Sequence, residues 1–570
     1  MKKTLIVTTL VILCACAAFA QNIAGDWQGT LKIGPAELRL VLHITKDANG
    51  NLKATMDSVD QGATGIPVSS ITLKDSKLNL ILASINGTYD GKVNADTSEI
   101  TGTWSQGQPL PLDFKRATTP IKTEHKPAKP SDIDGAWIGT LDTGAMKLRI
   151  VFHITNTEDG LITTLDSPDQ GAKGIPATST TRTGPSLKID VKSIGGAFEG
   201  KIDKDITTID GTWTQMGNTS PLVLKRVKDT SELERRRPQN PKQPYPYREE
   251  EVQFENKAAG ISLAATFTIP QGRGPFPAVF LITGSGPQDR DEAILGHRPF
   301  LVLADYLTRK GIAVLRADDR GFGKSSGNFA TATTADFATD AEAAVAYLKT
   351  RSEVNPRQIG LVGHSEGGII APMVAARNPD VAFIVMMAGS GVPGDEILVS
   401  QTLLLTEVSG KSHEEAEKNA ADEREILALV KQEKDSAILE KEVREKLAGK
   451  IPEAQLGIQL KAVSSPWFRY FIDYDPAVAL RKVTCPVLAI NGEKDLQIPP
   501  KQNLPVIRRA LEAGGNKNFE VDELPGLNHL FQTAKTGAIG EYAEIEETIS
   551  PAALEKIASW ILKQTGKSAS

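Results

Sequence analysis

The hydrophobic pattern of the chain changes near residue 250. Before that point, short stretches alternate apolar and polar residues, as at 38–44, and turn pairs such as Asn49-Gly50 separate them. This period of two predicts half-buried strands of antiparallel sheet. After residue 250, continuous apolar runs alternate with helical segments. That second pattern predicts a parallel sheet whose two faces are both covered by helices.

The second pattern predicts eleven elements. Strands are predicted at 278–283, 312–317, 359–363, 383–388, 487–491 and 519–524, and helices at 299–310, 336–350, 367–377, 501–513 and 551–563. One interruption, about 396–467, is helical and highly charged. Because the alternation of strands and helices resumes after it, we interpret this interruption as an inserted helical lid.

The alternating part of the chain contains an internal repeat. The sequence GDWQGTL at 25–31 returns as GAWIGTL at 135–141, with an offset of 110 residues. Further pairs keep an offset of 109–110 residues, which indicates a tandem duplication. Each copy is predicted to be a small antiparallel barrel or sandwich. The predicted organisation is a signal peptide at 1–20, β-rich repeats at 21–116 and 132–226, linkers at 117–131 and 227–247, and an α/β domain at 248–570.

The first twenty residues have the pattern of an export signal. Lys2 and Lys3 precede an apolar stretch, and Ala18-Phe19-Ala20 matches a cleavage site. We therefore predict export to the periplasm or the extracellular space. The alternative is a lipoprotein box in which Cys16 is acylated and anchors the chain. The apolar stretch is too short to span a membrane, and no other transmembrane stretch is predicted.

Composition excludes some classes of function. Lys and Arg total 65 and Asp and Glu total 70, which gives a net charge of −5, and 40% of the residues are hydrophobic. A balanced, slightly acidic chain offers no case for nucleic-acid binding. Cleavage after Ala20 would leave Cys485 as the last cysteine, so no intrachain disulfide is predicted. The three arginines at 235–237 are interpreted as part of a solvated tether.

Candidate chemistry begins at Gly363-His364-Ser365-Glu366-Gly367, which has the spacing of a nucleophile elbow. Ser365 lies between a predicted strand and a predicted helix, and its small neighbours suit a strained turn. A second match to this spacing, around Ser325, follows a charged loop and begins no obvious helix. We therefore predict Ser365 as the nucleophile.

A serine nucleophile needs a histidine to take its proton and an acid to orient that histidine. Of the two histidines that follow the elbow, His413 falls in the charged insertion, whereas His529 follows the last predicted strand. Asp495 follows the penultimate strand, and Glu493 and Asp522 are weaker candidates for the acid. The predicted triad is the elbow serine with Asp495 and His529.

Two backbone N–H groups are expected to form an oxyanion hole. One belongs to Glu366, directly after the nucleophile, and the other to Ser285 in the glycine-containing loop at 283–287. The adjoining Asp289-Arg290-Asp291 is either a pocket wall or a structural ion-pair cluster. No nucleotide-binding glycine motif follows a strand, and His413 lacks the second histidine of a zinc-protease helix. We therefore predict no cofactor and no metal.

With these residues in place, the segment from about 250 to 565 resembles the α/β-hydrolase superfamily. It is most similar to bacterial serine carboxylesterases related to dienelactone hydrolases and to the catalytic domains of prolyl oligopeptidases. Thr283 departs from the pattern, because many relatives have histidine before the oxyanion glycine. The resemblance implies an α/β-hydrolase fold for this segment and leaves the repeats outside. The motifs that carry it are at 283–286, 319–325, 363–367, 491–495 and 528–529.

Three functions remain open at this stage. The first is hydrolysis of small-molecule esters, with short- to medium-chain acyl groups, through an acyl-enzyme on Ser365. The second keeps the triad but cleaves peptides or thioesters. The third is a binding protein whose repeats contact the envelope or glycans, through tryptophans more typical of a core: Trp27, Trp104, Trp137 and Trp213. The intact triad favours the first, a serine carboxylesterase.

Overall fold

The computed structural model describes residues 22–566 apart from several short segments. These segments are 34–35, 47–51, 62, 83–86, 107, 118–127, 144–146, 171, 216, 230–232, 234–235 and 448–452. The predicted signal peptide, Cys16 and most of the first predicted linker lie outside the described residues. In the part of the chain that is described, no helix is long and apolar enough to cross a membrane.

Antiparallel strands form the first β-rich region. They are β1 (Gly25–Ile33), β2 (Ala36–Lys46), β3 (Leu52–Ser58), β4 (Ala63–Pro67), β5 (Ser70–Lys74), β6 (Lys77–Leu82), β7 (Gly87–Val93), β8 (Glu99–Gln106), β9 (Gln108–Pro111) and β10 (Phe114–Arg116). The order across the sheet is β4-β3-β2-β1-β10-β8-β7-β6-β5, and β9 pairs with β8. In β6, Leu78, Leu80 and Leu82 are buried while their neighbours are exposed. This is the period of two that the sequence predicts.

The second β-rich region pairs its strands in the same succession. Its strands are β11 (Gly135–Asp142), β12 (Lys147–Thr157), β13 (Gly160–Ser167), β14 (Ala172–Pro176), β15 (Ser179–Thr183), β16 (Ser186–Val191), β17 (Gly196–Ile202), β18 (Thr208–Gln215) and β19 (Asn218–Arg226). Antiparallel pairs join β15, β16 and β17, and also β11, β19 and β18. Trp27, Trp104, Trp137 and Trp213 are all buried. They are core residues and offer no stacking surface.

An eight-stranded, mostly parallel sheet follows. Its strands are β20 (Arg248–Asn256), β21 (Ile261–Ile269), β22 (Phe276–Ile282), β23 (Ala313–Ala317), β24 (Val354–His364), β25 (Phe383–Met387), β26 (Val487–Gly492) and β27 (Phe519–Leu524). The order is β20-β21-β23-β22-β24-β25-β26-β27. All pairs from β23 to β27 are parallel, whereas β20 and β21 are antiparallel. Sequence analysis predicted the six parallel strands and missed the β20–β21 hairpin.

Helices cover both faces of this sheet, as predicted. They are α1 (Pro299–Arg309), α2 (Thr334–Thr350), α3 (Gly367–Ala375), α4 (Gly394–Val408), α5 (His413–Gln432), α6 (Ser436–Leu447), α7 (Glu453–Val463), α8 (Pro466–Asp473), α9 (Pro476–Leu480), α10 (Pro500–Ala513), α11 (Ile539–Tyr542) and α12 (Pro551–Gln564). In β22, Val279 and Leu281 pack with α1 and α12, whereas Ala278 and Phe280 pack with α2, α3 and α10. Both faces of the strand are buried, which explains its continuous apolar sequence.

The connection between β25 and β26 carries six helices, of which α4–α8 form the insertion and the short α9 leads into β26. The inserted helices have a small core of their own, in which Leu427, Val430 and Leu439 pack with Ile472. The segment predicted as a lid is therefore helical, and its helices extend from Gly394 to Asp473. Its action as a lid stays a prediction.

The second predicted linker differs from a solvated tether at Arg237. The guanidinium of Arg237 donates hydrogen bonds to the backbone carbonyls of Leu295, Ala543 and Ile545 at 2.8–3.0 Å. Charge patterning alone cannot show this, because the acceptors are distant backbone carbonyls. The arginine run therefore contains at least one anchoring residue.

Candidate active site

Ser365 occupies a strained turn between β24 and α3. Its φ angle of +54° lies in the left-handed region, which residues with a Cβ atom rarely adopt. The Ser365 N–H donates to the carbonyl of Met387 at the end of β25, at 2.8 Å. The turn therefore holds the serine at the carboxyl edge of the sheet, where an elbow nucleophile stands.

The glycines on either side make this turn possible. A Cβ atom on Gly363 would lie 1.9 Å from the carbonyl oxygen of Gly367. A Cβ atom on Gly367 would lie 2.1 Å from the carbonyl oxygen of Ile282 in β22. Both distances are far below van der Waals contact, so only glycine fits at either position. This close approach is the physical reason for the spacing found in the sequence.

Asp495 and His529 are brought together by the loops after β26 and β27. Oδ2 of Asp495 lies 2.9 Å from Nδ1 of His529. The other carboxylate oxygen, Oδ1, accepts the N–H groups of Gln497 and Ile498 at 2.9 and 2.8 Å. Both side chains are almost fully buried. With Nδ1 donating to the carboxylate, Nε2 is left with a lone pair that can accept a proton.

The alternative candidates make other contacts. Glu493 accepts a backbone N–H group, and Asp522 pairs with a lysine. His413 is exposed and lies between two glutamates of the insertion. The hydroxyl of Ser325 donates to a backbone carbonyl and accepts a backbone N–H. Each of these side chains therefore has a structural partner of its own.

The loop at 283–287 lies directly against the nucleophile. A Cβ atom on Gly284 would be 3.3 Å from the Cβ atom of Ser365. The N–H groups of Ser285 and Glu366 have no acceptor among the residues that the structure describes. Two free N–H donors beside a serine can stabilise an oxyanion.

Asp319 supports this loop from behind. Its Oδ1 accepts the hydroxyl of Thr283 at 2.7 Å and its Oδ2 accepts the N–H of Gln288 at 2.8 Å. Burial raises the pKa of the Asp319 carboxyl to about 8. Thr283, where many relatives have histidine, therefore helps to fix the loop through this carboxyl.

Glu366 links the nucleophile to the inserted helices. Its buried carboxyl accepts the hydroxyl of Thr334 at 2.7 Å and the indole Nε1–H of Trp467 at 2.8 Å. Burial raises the pKa of this carboxyl, although these donors and the Ser285 hydroxyl oppose the rise. Trp467 lies in the first turn of α8 and stacks on Phe471, with ring centroids 5.3 Å apart. The insertion is thus hydrogen-bonded to the residue directly after Ser365.

The triplet Asp289-Arg290-Asp291, which follows the loop at 283–287, forms ion pairs. Arg290 pairs with Asp318 at 2.9 Å and with Glu251 at 2.8 Å, and Asp291 pairs with Arg316 at 2.9 Å. Of the two interpretations left open by the sequence, the structural cluster is the one observed. In the described part of the chain, no three His, Cys, Asp or Glu side chains are grouped to hold a metal ion.

Sequence analysis missed three groups near the nucleophile: the buried Glu292 and His364, and the partly buried Trp467. His364 was inside the elbow motif, and Glu292 directly follows the ion-pair triplet, but nothing in a single sequence shows that they meet. Trp467 stands at the end of the insertion, about one hundred residues from its partner. The available signal was the residue type, because the indole N–H of a tryptophan that packs against other residues usually has an acceptor.

Comparison with known proteins agrees with this geometry. Residues 298–533 match the family model described as serine aminopeptidase, S33. Esterase EstD of Thermotoga maritima is 30% identical over 314 residues, which cover 54% of this chain and 68% of that protein. The chain belongs to the α/β-hydrolase superfamily. Within the superfamily it belongs with the esterases.

Further relatives and solved structures are more distant. An uncharacterized 31.7 kDa protein of Escherichia coli is 27% identical over 42% of this chain and 80% of its own length. A Pyrococcus furiosus esterase structure is 16% identical, covers 56% of this chain and 91% of its own, and has a TM-score of 0.35. Est1E of Butyrivibrio proteoclasticus, with ferulic acid bound, is 19% identical, covers 55% of this chain and 100% of its own, and has a TM-score of 0.34.

Proposed function

We propose that this protein is an exported serine carboxylesterase that forms an acyl-enzyme on Ser365. The observation that carries the proposal is the strained Ser365 beside two free N–H groups, together with the buried Asp495–His529 pair. The proposed substrates are small-molecule esters with short- to medium-chain acyl groups. The 30% identity to an esterase supports the choice of an ester bond.

In the proposed reaction, Nε2 of His529 takes the hydroxyl proton while Oγ of Ser365 attacks the ester carbonyl carbon. The carbonyl π electrons move to oxygen, and the N–H groups of Ser285 and Glu366 donate to this oxyanion. One such donor contributes about 3–4 kcal/mol of transition-state stabilisation. Asp495 remains ionised and stabilises the imidazolium.

Collapse of this first intermediate forms the acyl-enzyme. The carbon–oxygen bond to the alcohol breaks, and the leaving alcohol takes the proton from Nε2 of His529. Water then attacks the acyl-enzyme and gives its proton to the same nitrogen. The second intermediate releases the carboxylic acid, and Ser365 recovers its proton.

A peptidase or thioesterase with the same triad is the second candidate. It is favoured by the match of residues 298–533 to a family described as serine aminopeptidase. The same groups would act on an amide or thioester carbonyl, so the two candidates differ in the bond cleaved. Amino-acid p-nitroanilides and acyl thioesters should therefore be tested in the same assay as the esters.

The test uses a p-nitrophenyl ester series from acetate to palmitate. Wild type is expected to hydrolyse it with a maximum at short or medium chains, and Ser365→Ala to lose about 10⁴–10⁶ in kcat. Ser325→Ala, at the second match to the motif, is the control and should remain active. Full activity in Ser365→Ala would refute the serine mechanism, and activity confined to p-nitroanilides or thioesters would favour the second candidate.

The proposed export has a separate test. The full chain is expressed with its first twenty residues in a bacterial host, and the mature N-terminus is determined by mass spectrometry of each cell fraction. A periplasmic or secreted chain that begins at Gln21 is expected. A diacylglyceryl group on Cys16 would support the lipid-anchored alternative, and an uncleaved cytoplasmic chain would refute export.

A further inference from the structure

Two buried ionisable side chains beside the nucleophile have no role in the reaction proposed above. They are Glu292, in the segment after the loop at 283–287 (the oxyanion loop), and His364, the last residue of β24. Their relative exposures are 5% and 6%. Charged groups are rarely buried to this extent unless they are paired, and burial has a large cost in solvation free energy. Their contacts therefore call for an explanation.

The contacts connect three parts of the active site. Oε1 of Glu292 accepts the N–H of Gly284 at 2.8 Å and lies 2.9 Å from Nδ1 of His364. On the other side of the ring, Nε2 of His364 lies 3.0 Å from the backbone carbonyl oxygen of His529. The oxyanion loop, the elbow strand and the loop of the candidate base are thus joined through one carboxylate and one imidazole.

The hydrogen-bond pattern places a proton on Nε2 of His364, and the raised pKa favours a second proton on Nδ1. A carbonyl oxygen can only accept, so Nε2 of His364 carries a proton and donates it to His529. The carboxylate Oε1 accepts from Gly284, and it also accepts from Nδ1 of His364 when that nitrogen is protonated. Burial alone would lower the pKa of His364, but Glu292 and the His529 carbonyl raise it above its ordinary value. Both ring nitrogens are then donors, and the pair is an imidazolium with a carboxylate.

The backbone of Glu292 supports a specific placement. Its φ angle is +52°, in the left-handed region that is costly for a residue with a side chain. Its own N–H donates to the carbonyl of Asp289 at 2.9 Å, which fixes this conformation. Such strain tends to persist at functional sites, where surrounding structure holds it.

The His364 ring also faces the candidate base. The ring centroids of His364 and His529 are 4.9 Å apart and the planes are inclined by 45°. Glu292 and Asp495 are the carboxylates that act on His364, and the neighbouring Phe531 is apolar. The pair therefore acts on the position of the base.

We propose that Glu292 and His364 form a buried ion pair of positioning residues, which holds the oxyanion loop and the loop of the candidate base in register. The inference rests on the serine mechanism proposed above. Neither residue touches the reacting atoms. Loss of the pair is expected to lower kcat while KM changes little, because substrate contacts remain.

His364→Gln is the principal test. Glutamine retains a donor near the position of Nε2 but loses the charge and the pairing with Glu292. We expect kcat to fall about 10- to 100-fold, the range that follows from small misplacement of catalytic groups. We also expect KM to change less than twofold, since neither residue of the pair touches the substrate, whereas a general loosening of the site would raise KM as well.

Glu292→Gln and the double variant complete the test. The single variant is expected to lower kcat at least tenfold, since neutral glutamine cannot satisfy Gly284 and an uncharged His364 through one oxygen. The double variant should be no worse than His364→Gln, because the two residues act as one unit. His413→Gln, an exposed histidine of the insertion, is the control and should match wild type.

The outcomes separate this inference from the proposed function. Activity within twofold of wild type in Glu292→Gln, or an unchanged kcat in a folded His364→Gln, overturns the ion-pair proposal and leaves the serine mechanism intact. If His364→Gln does not fold, the kcat of Glu292→Gln decides. Ser365→Ala is measured in parallel, and if it were fully active both proposals would fall.

Discussion

The hydrogen bond between Trp467 and Glu366 allows a sharp test of how the inserted helices are held. In Trp467→Phe, the ring can still stack on Phe471, but the Nε1–H donor at 2.8 Å from the carboxyl is lost. Thr334 remains as a donor to the same oxygen. A hydrogen bond to a charged group contributes about 1.5–3 kcal/mol. For a domain of this size, that loss lowers Tm by about 2–4 °C.

The expected loss depends on pH in a defined direction. Burial raises the pKa of Glu366, so this carboxyl favours the folded state most when it is protonated at low pH. Its ionisation as pH rises disfavours folding, and the indole donor reduces that cost. Trp467→Phe should therefore destabilise the protein more at pH 8 than at pH 5. Thermal unfolding followed by circular dichroism at both pH values measures the difference.

Trp560 supplies a matched control. It is a second tryptophan of the α/β domain, fully inside the core, but its Nε1 has no hydrogen-bond partner in the described part of the chain. Trp560→Phe removes packing and an unsatisfied donor together, so we expect a change within about 1 kcal/mol and no trend with pH. If Trp467→Phe cost no more than Trp560→Phe at pH 8, the hydrogen bond to Glu366 would contribute nothing and the reasoning would be refuted.

Three further predictions concern the nucleophile, the acid and the oxyanion loop. Asp495→Asn should lower kcat on p-nitrophenyl acetate by about 10³–10⁴ through loss of the oriented histidine tautomer. Asp522→Asn is the control and should stay near wild type, and equal effects of the two substitutions would contradict the assignment of the acid. Gly367→Ala should abolish activity, because its Cβ would lie 2.1 Å from a carbonyl oxygen. Gly457→Ala is the control: this glycine of α7 has open space around it, so the substitution should raise Tm slightly. An active Gly367→Ala enzyme would contradict the steric argument. Burial raises the pKa of Asp319 to about 8, well above the value of about 4 for an unfolded aspartate, so wild-type stability should fall as pH rises between these values. The Tm of Asp319→Asn relative to wild type should therefore increase from pH 5 to pH 8, and a constant difference would exclude this ionisation.

The parallel sheet could be predicted because its strands are apolar on both faces. β22 and β25 are uniformly buried in the structure, as is the second half of β24 from Ile359 to Gly363, and these residues form uninterrupted apolar runs in the sequence. The strand β20 is different, because it lies at the edge of the sheet and carries a charged sequence, Arg248–Asn256. An edge strand with charged positions gives little hydrophobic signal. This is why the first hairpin was missed.

The candidate site also contains some residues that the sequence could predict and others that it could not. Ser365, Asp495 and His529 could be proposed because each follows a predicted strand, and parallel strands bring their carboxyl ends to one edge. Trp467 and Glu292 could not be proposed on that basis. Trp467 meets Glu366 because of the path that the insertion takes, and Glu292 meets His364 because of a strained loop. Local sequence carries no record of such distant contacts.

The position of the inserted helices has a consequence for how this enzyme can diversify. Parallel neighbours such as β25 and β26 need a crossover connection in any case, since the chain must return to the opposite end of the sheet. Here that obligatory connection carries α4–α8 and their separate small core. A longer or shorter set of inserted helices can therefore be accommodated between two fixed strand ends without a new break in the sheet. The sheet and the inserted helices can change independently in length, and the Trp467–Glu366 hydrogen bond marks a point where the two remain coupled.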